Sequence, residues 1–323
     1  MQSNTAARVL RSPSLLGGPT EGLAESHRLH AFHPVNDGAG AGFFTEHLVA
    51  PIAAAFPHGE ERTDIAMSGT FQGATWLARS GHIAGRLEAP LFGIPATGQA
   101  AFVRFGRFER FEGDRIAETI LILDLPALMM QAHCWPLAAP LGPLLVAPGP
   151  ITRDGVAAAA VPDTDGQDSL RLVENMIGGL MKFDGNLKTM GMRDWWTEDF
   201  WWFGPAPIGN FRGFPHYENG HAGPFLKAFP DRVGGNHRAR LGERNYVCST
   251  GWPSIHATHT GGDWIGLAAT GKPVTMRVMD FWRREGALLA ENWVMIDIPE
   301  LLMQMGIDLF ARMAALLPPE RTK

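Results

Sequence analysis

Val274-Thr-Met-Arg-Val-Met-Asp-Phe-Trp-Arg-Arg-Glu-Gly-Ala-Leu-Leu-Ala-Glu-Asn-Trp-Val-Met-Ile-Asp-Ile-Pro299 consists of two strand-like runs around an acidic-glycine turn, closed by Asp-x-Pro. Runs rich in Val, Ile, Met, Phe and Trp on either side of Glu285-Gly286 read as a β-hairpin. The stretch has a twin: Ala100 to Arg110, a turn at Glu112-Gly113, then Arg115 to Asp124 followed by Leu125-Pro126. The two Asp-x-Pro signatures stand 173 residues apart (297 − 124), and the same interval joins Ala55-Phe56-Pro57 to Ala228-Phe229-Pro230 and Ala96-Thr97-Gly98 to Ala269-Thr270-Gly271. A repeat this long is a whole domain rather than a solenoid unit. The duplication also provides an internal comparison, because one copy can keep a site that the other has lost.

Working outward, the pattern predicts residues 1–25 as a flexible N-terminus, 26–132 as the first domain, 133–168 as a linker and 169–323 as the second domain. The linker assignment rests on Pro136, Pro140, Pro143, Pro148, Pro150 and Pro162, a density that disfavours helix and sheet. Its leucines (Leu137, Leu141, Leu144, Leu145) predict that it packs along a domain surface. Each copy reads as helix first, then extended segments ending in the hairpin, then a short closing helix with proline in its first turn. Helices before a curled antiparallel sheet make an α+β domain.

The 323 residues allow two domains with cores of their own. An apolar share of 45%, a charged share of 19% and a net charge of −5 fit a globular chain and argue against a nucleic-acid surface. No run approaches a membrane span and no signal-peptide core is visible, so a cytoplasmic location is expected. Cys134 and Cys248 fall at unrelated positions of the two copies and are expected to be free thiols. No nucleotide fingerprint, phosphate loop or Gly-x-Ser-x-Gly elbow appears, so no cofactor is expected.

The run of Thr-Gly, strand, acidic-Gly turn, strand, Asp and Leu-Leu-x-Gln-x-Gly resembles the SnoaL-like polyketide cyclases of the nuclear-transport-factor-two-like superfamily. The matching text is Ala269-Thr-Gly-Lys-Pro-Val274, Glu291-Asn-Trp-Val-Met-Ile-Asp297 and Leu301-Leu-Met-Gln-Met-Gly306, with Gly93-Ile-Pro-Ala-Thr-Gly98 and Asp124-Leu-Pro-Ala-Leu-Met-Met-Gln131 in copy one. The resemblance covers most of both halves. It implies two tandem cones, each a curved antiparallel sheet with helices enclosing a pocket. It also implies an intramolecular pseudo-dimer, with room for a homodimer, and an acid/base aspartate at Asp297 and Asp124. The superfamily hosts cyclases, isomerases, dehydratases, epoxide hydrolases and binders, so it leaves the reaction open.

The residues themselves nominate the site. A carboxyl in an apolar cavity is raised towards the working pH, which suits Asp297 and Asp124; each equally suits a helix N-cap ahead of proline. With a two-residue turn at Glu285-Gly286, Asp280 faces Glu291, and the same count sets Arg107 opposite Glu118. Opposed carboxylates in one copy and an ion pair in the other would favour the second copy as the active centre. A longer loop would instead bring Asn292 to Asp280. His259, four residues before Asp263, and His82 are candidate acid/base partners, and equally core histidines. Arg277 matches Arg104 and suits either an oxyanion anchor or an ion pair within the sheet.

Eight of the ten tryptophans lie from Trp195 onward. With His221, Trp195, Trp202, Trp264, Trp282 and Trp293 suit either a pocket for a flat hydrophobic substrate or a domain interface. His216, Glu218 and His221 have loose metal-ligand spacing, a weak signal, and no metal is expected. The expected function is cofactor-independent acid/base chemistry on a hydrophobic carbonyl compound, a lyase or isomerase. Asp297 is the acid/base group in this reading, helped by His259 and Asp280, with Arg277 or Asn292 at the oxyanion. A hydrolase using activated water and a non-catalytic binder or scaffold are the alternatives.

Overall fold

A computed structural model describes residues 5–157, 165–262 and 264–318; Asp263 lies outside the described residues. The N-terminal stretch expected to be flexible is packed against the first domain. Helix α1 (Thr5–Val9) leads to a segment in which Leu15 is fully buried and Pro13 accepts a hydrogen bond from Arg107.

The first domain starts earlier than expected. Strand β1 (Leu23–Ala31) opens inside the predicted terminus, and its charged outer positions mask the alternation of buried Leu23, His27, Leu29 and Ala31. There follow β2 (Asp37–Ala39), α2 (Gly40–Phe44), a π-helical turn (Thr45–Val49) and α3 (Ala50–Ala55). Then come β3 (Glu60–Phe71), β4 (Ala74–Arg86), β5 (Ala100–Glu112), β6 (Arg115–Leu123) and α4 (Leu125–Gln131).

The second domain repeats this order behind an added helix, α5 (Gly166–Leu180), which begins inside the predicted linker. Strands β7 (Trp196–Phe203) and β8 (Asn210–Arg212) precede α6 (Gly213–Tyr217), a π-helical turn (Glu218–Ala222) and α7 (Gly223–Ala228). The sheet continues with β9 (Val233–Gly234), β10 (His237–Glu243), β11 (Tyr246–Thr258), β12 (Pro273–Glu285) and β13 (Leu288–Ile296). The closing helix is split into α8 (Ile298–Gln304) and α9 (Leu309–Leu316) around Gly306, whose φ of +85° ends the first piece. In both copies a proline near the start of the third helical piece (Pro51, Pro224) removes an N–H from the ladder, and the wider π turn precedes it.

The sheets run β2-β1-β6-β5-β4-β3 and β10-β11-β12-β13-β7-β8. They are mixed rather than purely antiparallel, because β1 pairs parallel with β6 and β7 parallel with β13. The fold is two tandem α+β cones. Each sheet is apolar on both faces, which accounts for the nearly unbroken apolar runs in its central strands. One face packs on the domain's own helices, and the other meets the second sheet. Phe108 and Phe281, equivalent at the 173-residue interval, meet across this junction with ring centroids 5.6 Å apart, and Met279, Trp293 and Met295 surround them. Gly106 lets the sheets approach: a Cβ there would lie 2.2 Å from Met295 Cε.

The linker does pack along a surface. Leu141 and Gly142 donate to the carbonyls of Pro207 and Ile208, Trp293 Nε1 donates to Pro148 O, and Ala66 N donates to Gly155 O. Cys134 and Cys248 are buried free thiols. Among the described residues no helix is long and apolar enough to cross a membrane.

Candidate functional site

The hairpin register corrects the expected charge pattern. Glu285 pairs with Leu288, so the turn is Gly286-Ala287, and a bulge between Arg283 and Arg284 shifts the ladder further. Asp280 therefore faces Val294, and Glu291 faces Arg283, which holds it in an ion pair. In copy one Glu112 pairs with Arg115, and Arg110, not Arg107, meets Glu118. The cross-strand Arg–Glu pair is thus common to both copies. An odd-numbered slip moves a residue to the other face of its partner strand, which is why the turn could not be miscounted harmlessly.

What distinguishes the copies is the inner face. Met276, Val278, Asp280 and Trp282 alternate along β12 into a cavity of about 220 Å³, and Asn292, Val294 and Ile296 enter it from β13. Methionines of α5 and of the segment before β7 (Met176, Met190, Met192), with Trp196 and Trp202 of β7, complete its apolar wall. Asn292 Nδ2 donates to Asp280 Oδ1 (3.3 Å) and to the carbonyl of Phe281 (3.0 Å). Ser249 lies opposite Asp280 on β11, and Ser249 Oγ and His237 Nδ1 are 3.1 Å apart. Burial pushes Asp280 up to about 7, only partly opposed by the Asn292 hydrogen bond and the charge of Arg240.

The helical arm adds His221 and Tyr217, and Arg232 and Ser254 also line the cavity. His221 sits on the π turn, stacked on Trp202 with centroids 4.0 Å apart, and burial lowers it to about 3. Tyr217 also lines the cavity; burial and the nearby Asp280 charge raise its hydroxyl, so it stays protonated. His237 is lowered by burial and by Arg240. With both histidines neutral at pH 7, Asp280 is the shifted cavity group poised to exchange a proton there.

In copy one the same positions are closed. Phe44 and Leu48, both fully buried, occupy the places of Tyr217 and His221 at the 173-residue interval. Arg107 replaces Asp280 and faces Arg79 across the ladder, as Asp280 faces Ser249. Two opposed arginines need counter-charges, and Glu109 and Glu61 supply them: Arg107 pairs with Glu109, and Arg79 with Glu61 and Glu109. The N-terminal segment finishes this buried cluster, since Arg79 donates to Ser12 Oγ and Arg107 to Pro13 O. His27 is lowered to about 4 by burial and by Arg107.

Asp297 and Asp124 do not line this cavity. Asp297 caps α8 through Glu300 N, accepts His33 N from the first domain at 3.0 Å, and pairs with Arg277 at 3.1 Å. Asp124 mirrors it: it caps α4 through Ala127 N, accepts Ala206 N from the second domain, and neighbours Arg104 at 3.7 Å. The equivalent pair of caps ties each domain to the other. Arg277 also donates to Ala31 O and lies over the Trp252 ring, remote from an oxyanion role in the cavity.

His259 is fully buried, with Nδ1 3.0 Å from Thr270 Oγ1 and its ring against Phe229. Trp264 packs on Phe229, Trp195 lies beside Gly179 of α5, and Trp293 faces the linker, so these three tryptophans are packing residues. Trp202 and Trp282 do line the cavity. His82 pairs with Asp64 at 2.8 Å and borders a different cavity. Among the described residues no group of three His, Cys, Asp or Glu gathers as a metal site; His216 is exposed and Glu218 pairs with Arg193.

Sequence reading missed Trp196, Tyr217, His237 and Ser249. The signal for Tyr217 was available, because the chain has two tyrosines and one replaces Phe44 in the repeat. His237 and Ser249 depend on the pairing of β10 with β11, which no local pattern encodes.

No protein-family model matches the chain, and no curated protein matches it by sequence. Its neighbours among solved structures are SnoaL-like polyketide cyclases and NTF2-like proteins. AclR of Streptomyces galilaeus, provisionally described as a hydroxylase, is 22% identical, covering 44% of this chain and 86% of its own, with a TM-score of 0.36. A protein of Jannaschia sp. CCS1, provisionally described as a SnoaL-like polyketide cyclase, is 19% identical over 39% and 89%, with a TM-score of 0.33. An NTF2-like protein of Burkholderia xenovorans LB400 is 13% identical over 43% and 97%, with a TM-score of 0.34. The two-cone architecture itself stands on the strand order and helix placement described above.

Proposed function

We propose that the second-domain cavity performs cofactor-independent acid/base chemistry on a small hydrophobic carbonyl compound, with Asp280 as the acid/base group. The observation that carries this reading is a single carboxyl set among apolar walls, raised to about 7 by burial and oriented by Asn292. The Asp280 carboxylate takes a proton from the carbon beside the carbonyl, and the C–H electron pair becomes the enolate. Trp196 Nε1, which has no hydrogen-bond partner among the described residues, and the protonated Tyr217 hydroxyl are the donors for the enolate oxygen. Return of the proton to another carbon gives isomerisation, loss of a β-substituent gives elimination, and attack on a second carbonyl gives ring closure. The enolate is common to all three.

Deuterium exchange into 2-tetralone in D2O, followed by NMR, reads that shared step without knowing the natural substrate. Exchange should accelerate with pH through about 7 as Asp280 ionises, and Asp280→Asn should slow it at least about 100-fold. Exchange at the wild-type rate in Asp280→Asn refutes the assignment. A non-catalytic binding role has one observation in its favour, the use of both Asp124 and Asp297 as helix caps. It predicts that 2-tetralone perturbs cavity resonances without exchanging. A hydrolytic site combining Asp280, Arg277 and Asp297 is not supported, because the Arg277–Asp297 pair is directed to the domain junction.

A further inference from the structure

A second cavity, of about 320 Å³, lies between the domains, and nothing in the acid/base reading uses it. Its walls come from three sources: His82, Phe102 and Arg104 of the first sheet, Ala127 and Met130 of α4, and residues 144–147 of the linker, closed by Asn210 of β8. Four polar side chains bordering it are more than nine-tenths buried; Arg104 and Asp124 neighbour each other, which leaves His82 at 8% exposure and Asn210 at 3%. Both hold an atom with no hydrogen-bond partner among the described residues, His82 Nε2 and Asn210 Oδ1.

The state of each atom follows from its other contacts. His82 Nδ1 lies 2.8 Å from Asp64 Oδ2, and a carboxylate accepts, so Nδ1 carries the hydrogen, and in the uncharged form of the ring Nε2 presents a lone pair. Asn210 Nδ2 donates to Pro143 O at 3.0 Å, which leaves Oδ1 as an acceptor. Burying two acceptors without donors is costly, and a ligand that donates hydrogen bonds removes that cost. The guanidinium of Arg104 is already committed to the carbonyls of Phe203 and Val294 and to Asp124, so an anion finds no free cation there. Phe102, Leu144, Leu145 and Val146 leave apolar surface exposed beside these acceptors, suited to an apolar ligand body.

The duplication again supplies the comparison. His82 lies opposite Arg104 in the first sheet. At the matching arginine of the second sheet, Arg277, the guanidinium is covered by the Trp252 ring at 4.6 Å, and Asn36 Oδ1 and Ala31 O accept its hydrogens. One member of the pair is packed shut; the other keeps an oriented histidine beside a cavity.

We infer that the interdomain cavity binds a small hydroxylated aromatic compound, its hydroxyl donating to His82 Nε2 and its ring lying against the Phe102 and linker wall. This site is separate from the cone cavity, and the inference does not depend on Asp280. Imidazole ¹⁵N spectra of the full chain at pH 8, with His82 assigned from His82→Leu, test it using p-cresol and toluene as probes. The His82 Nε2 resonance should move with p-cresol and stay in place with toluene. By calorimetry, His82→Leu should weaken p-cresol binding by about tenfold, one hydrogen bond's worth. An unmoved resonance, an equal response to toluene, or a His82 response that Asp280→Asn abolishes, as binding in the cone alone would give, overturns the inference. Because the wild-type probe comparison requires no substitution, a variant that fails to fold does not obscure the result.

Discussion

Replacing Asp280 by asparagine removes a charge that folding drives into an apolar cavity, so it should stabilise the protein while disabling it. The wild-type carboxyl is raised from 3.8 to about 7. A group bound more tightly to its proton in the folded state contributes most below its unfolded value, and that contribution is lost as pH rises through the folded value. The difference of about three units corresponds to at most about 4 kcal/mol at 1.36 kcal/mol per unit. Asp280 is partly accessible from the cavity, and solvent screening brings the expected gain to about 2 kcal/mol. For a chain of 323 residues that amounts to about 3 °C in Tm. Thermal unfolding should therefore show Asp280→Asn matching wild type near pH 4, gaining between pH 4 and 7, and holding a constant advantage above that. Comparing variant with wild type at each pH cancels the other carboxylates, Asp297 and Glu300 among them, that burial also raises. A difference independent of pH, or a variant less stable than wild type at pH 8, would refute the placement of this carboxyl in an apolar site.

Asp297→Ala should cost about 3 kcal/mol by chemical denaturation, because it removes an N-cap and leaves Arg277 without its carboxylate. The same variant should retain most deuterium exchange into 2-tetralone, whereas exchange lost as completely as in Asp280→Asn would return the acid/base role to Asp297. Gly106→Val should cost about 2 kcal/mol by overpacking against Met279 and Met295 at the sheet junction, measured by urea midpoint; an unchanged midpoint counts against the face-to-face packing. Deleting residues 1–16 removes Ser12, Pro13 and Leu15 from the buried Arg79–Arg107 cluster and should lower Tm by several degrees, about 2–3 kcal/mol. His221→Leu and Tyr217→Phe, which restore the residue types of the first copy, should keep the fold; Tyr217→Phe should slow exchange by about tenfold or more through loss of an oxyanion donor.

The duplication, the paired hairpins, the Asp-x-Pro caps and the surface-packed linker were all legible in the sequence, since each depends on residues close together in the chain. A repeat interval, a proline in a first turn and an alternation of apolar side chains carry their physical causes locally. The site was only half legible. Asp280 and Asn292, expected as catalytic groups, and Trp202, Trp282 and His221, expected as pocket residues, all line one cavity, but Asp280 does not oppose Glu291, because a single bulge at Arg283/Arg284 resets which side chains oppose. Asp297 shows the opposite limit. Its motif fits a cap and a catalyst equally, and only the approach of His33 from the other domain commits it to the junction. The sequence by itself determined that there are two cones and which residues differ between them. Tertiary structure alone decided that one difference, Arg107 against Asp280, falls inside the cones, where burial turns a change of charge into a filled core in one copy and a poised carboxyl in the other.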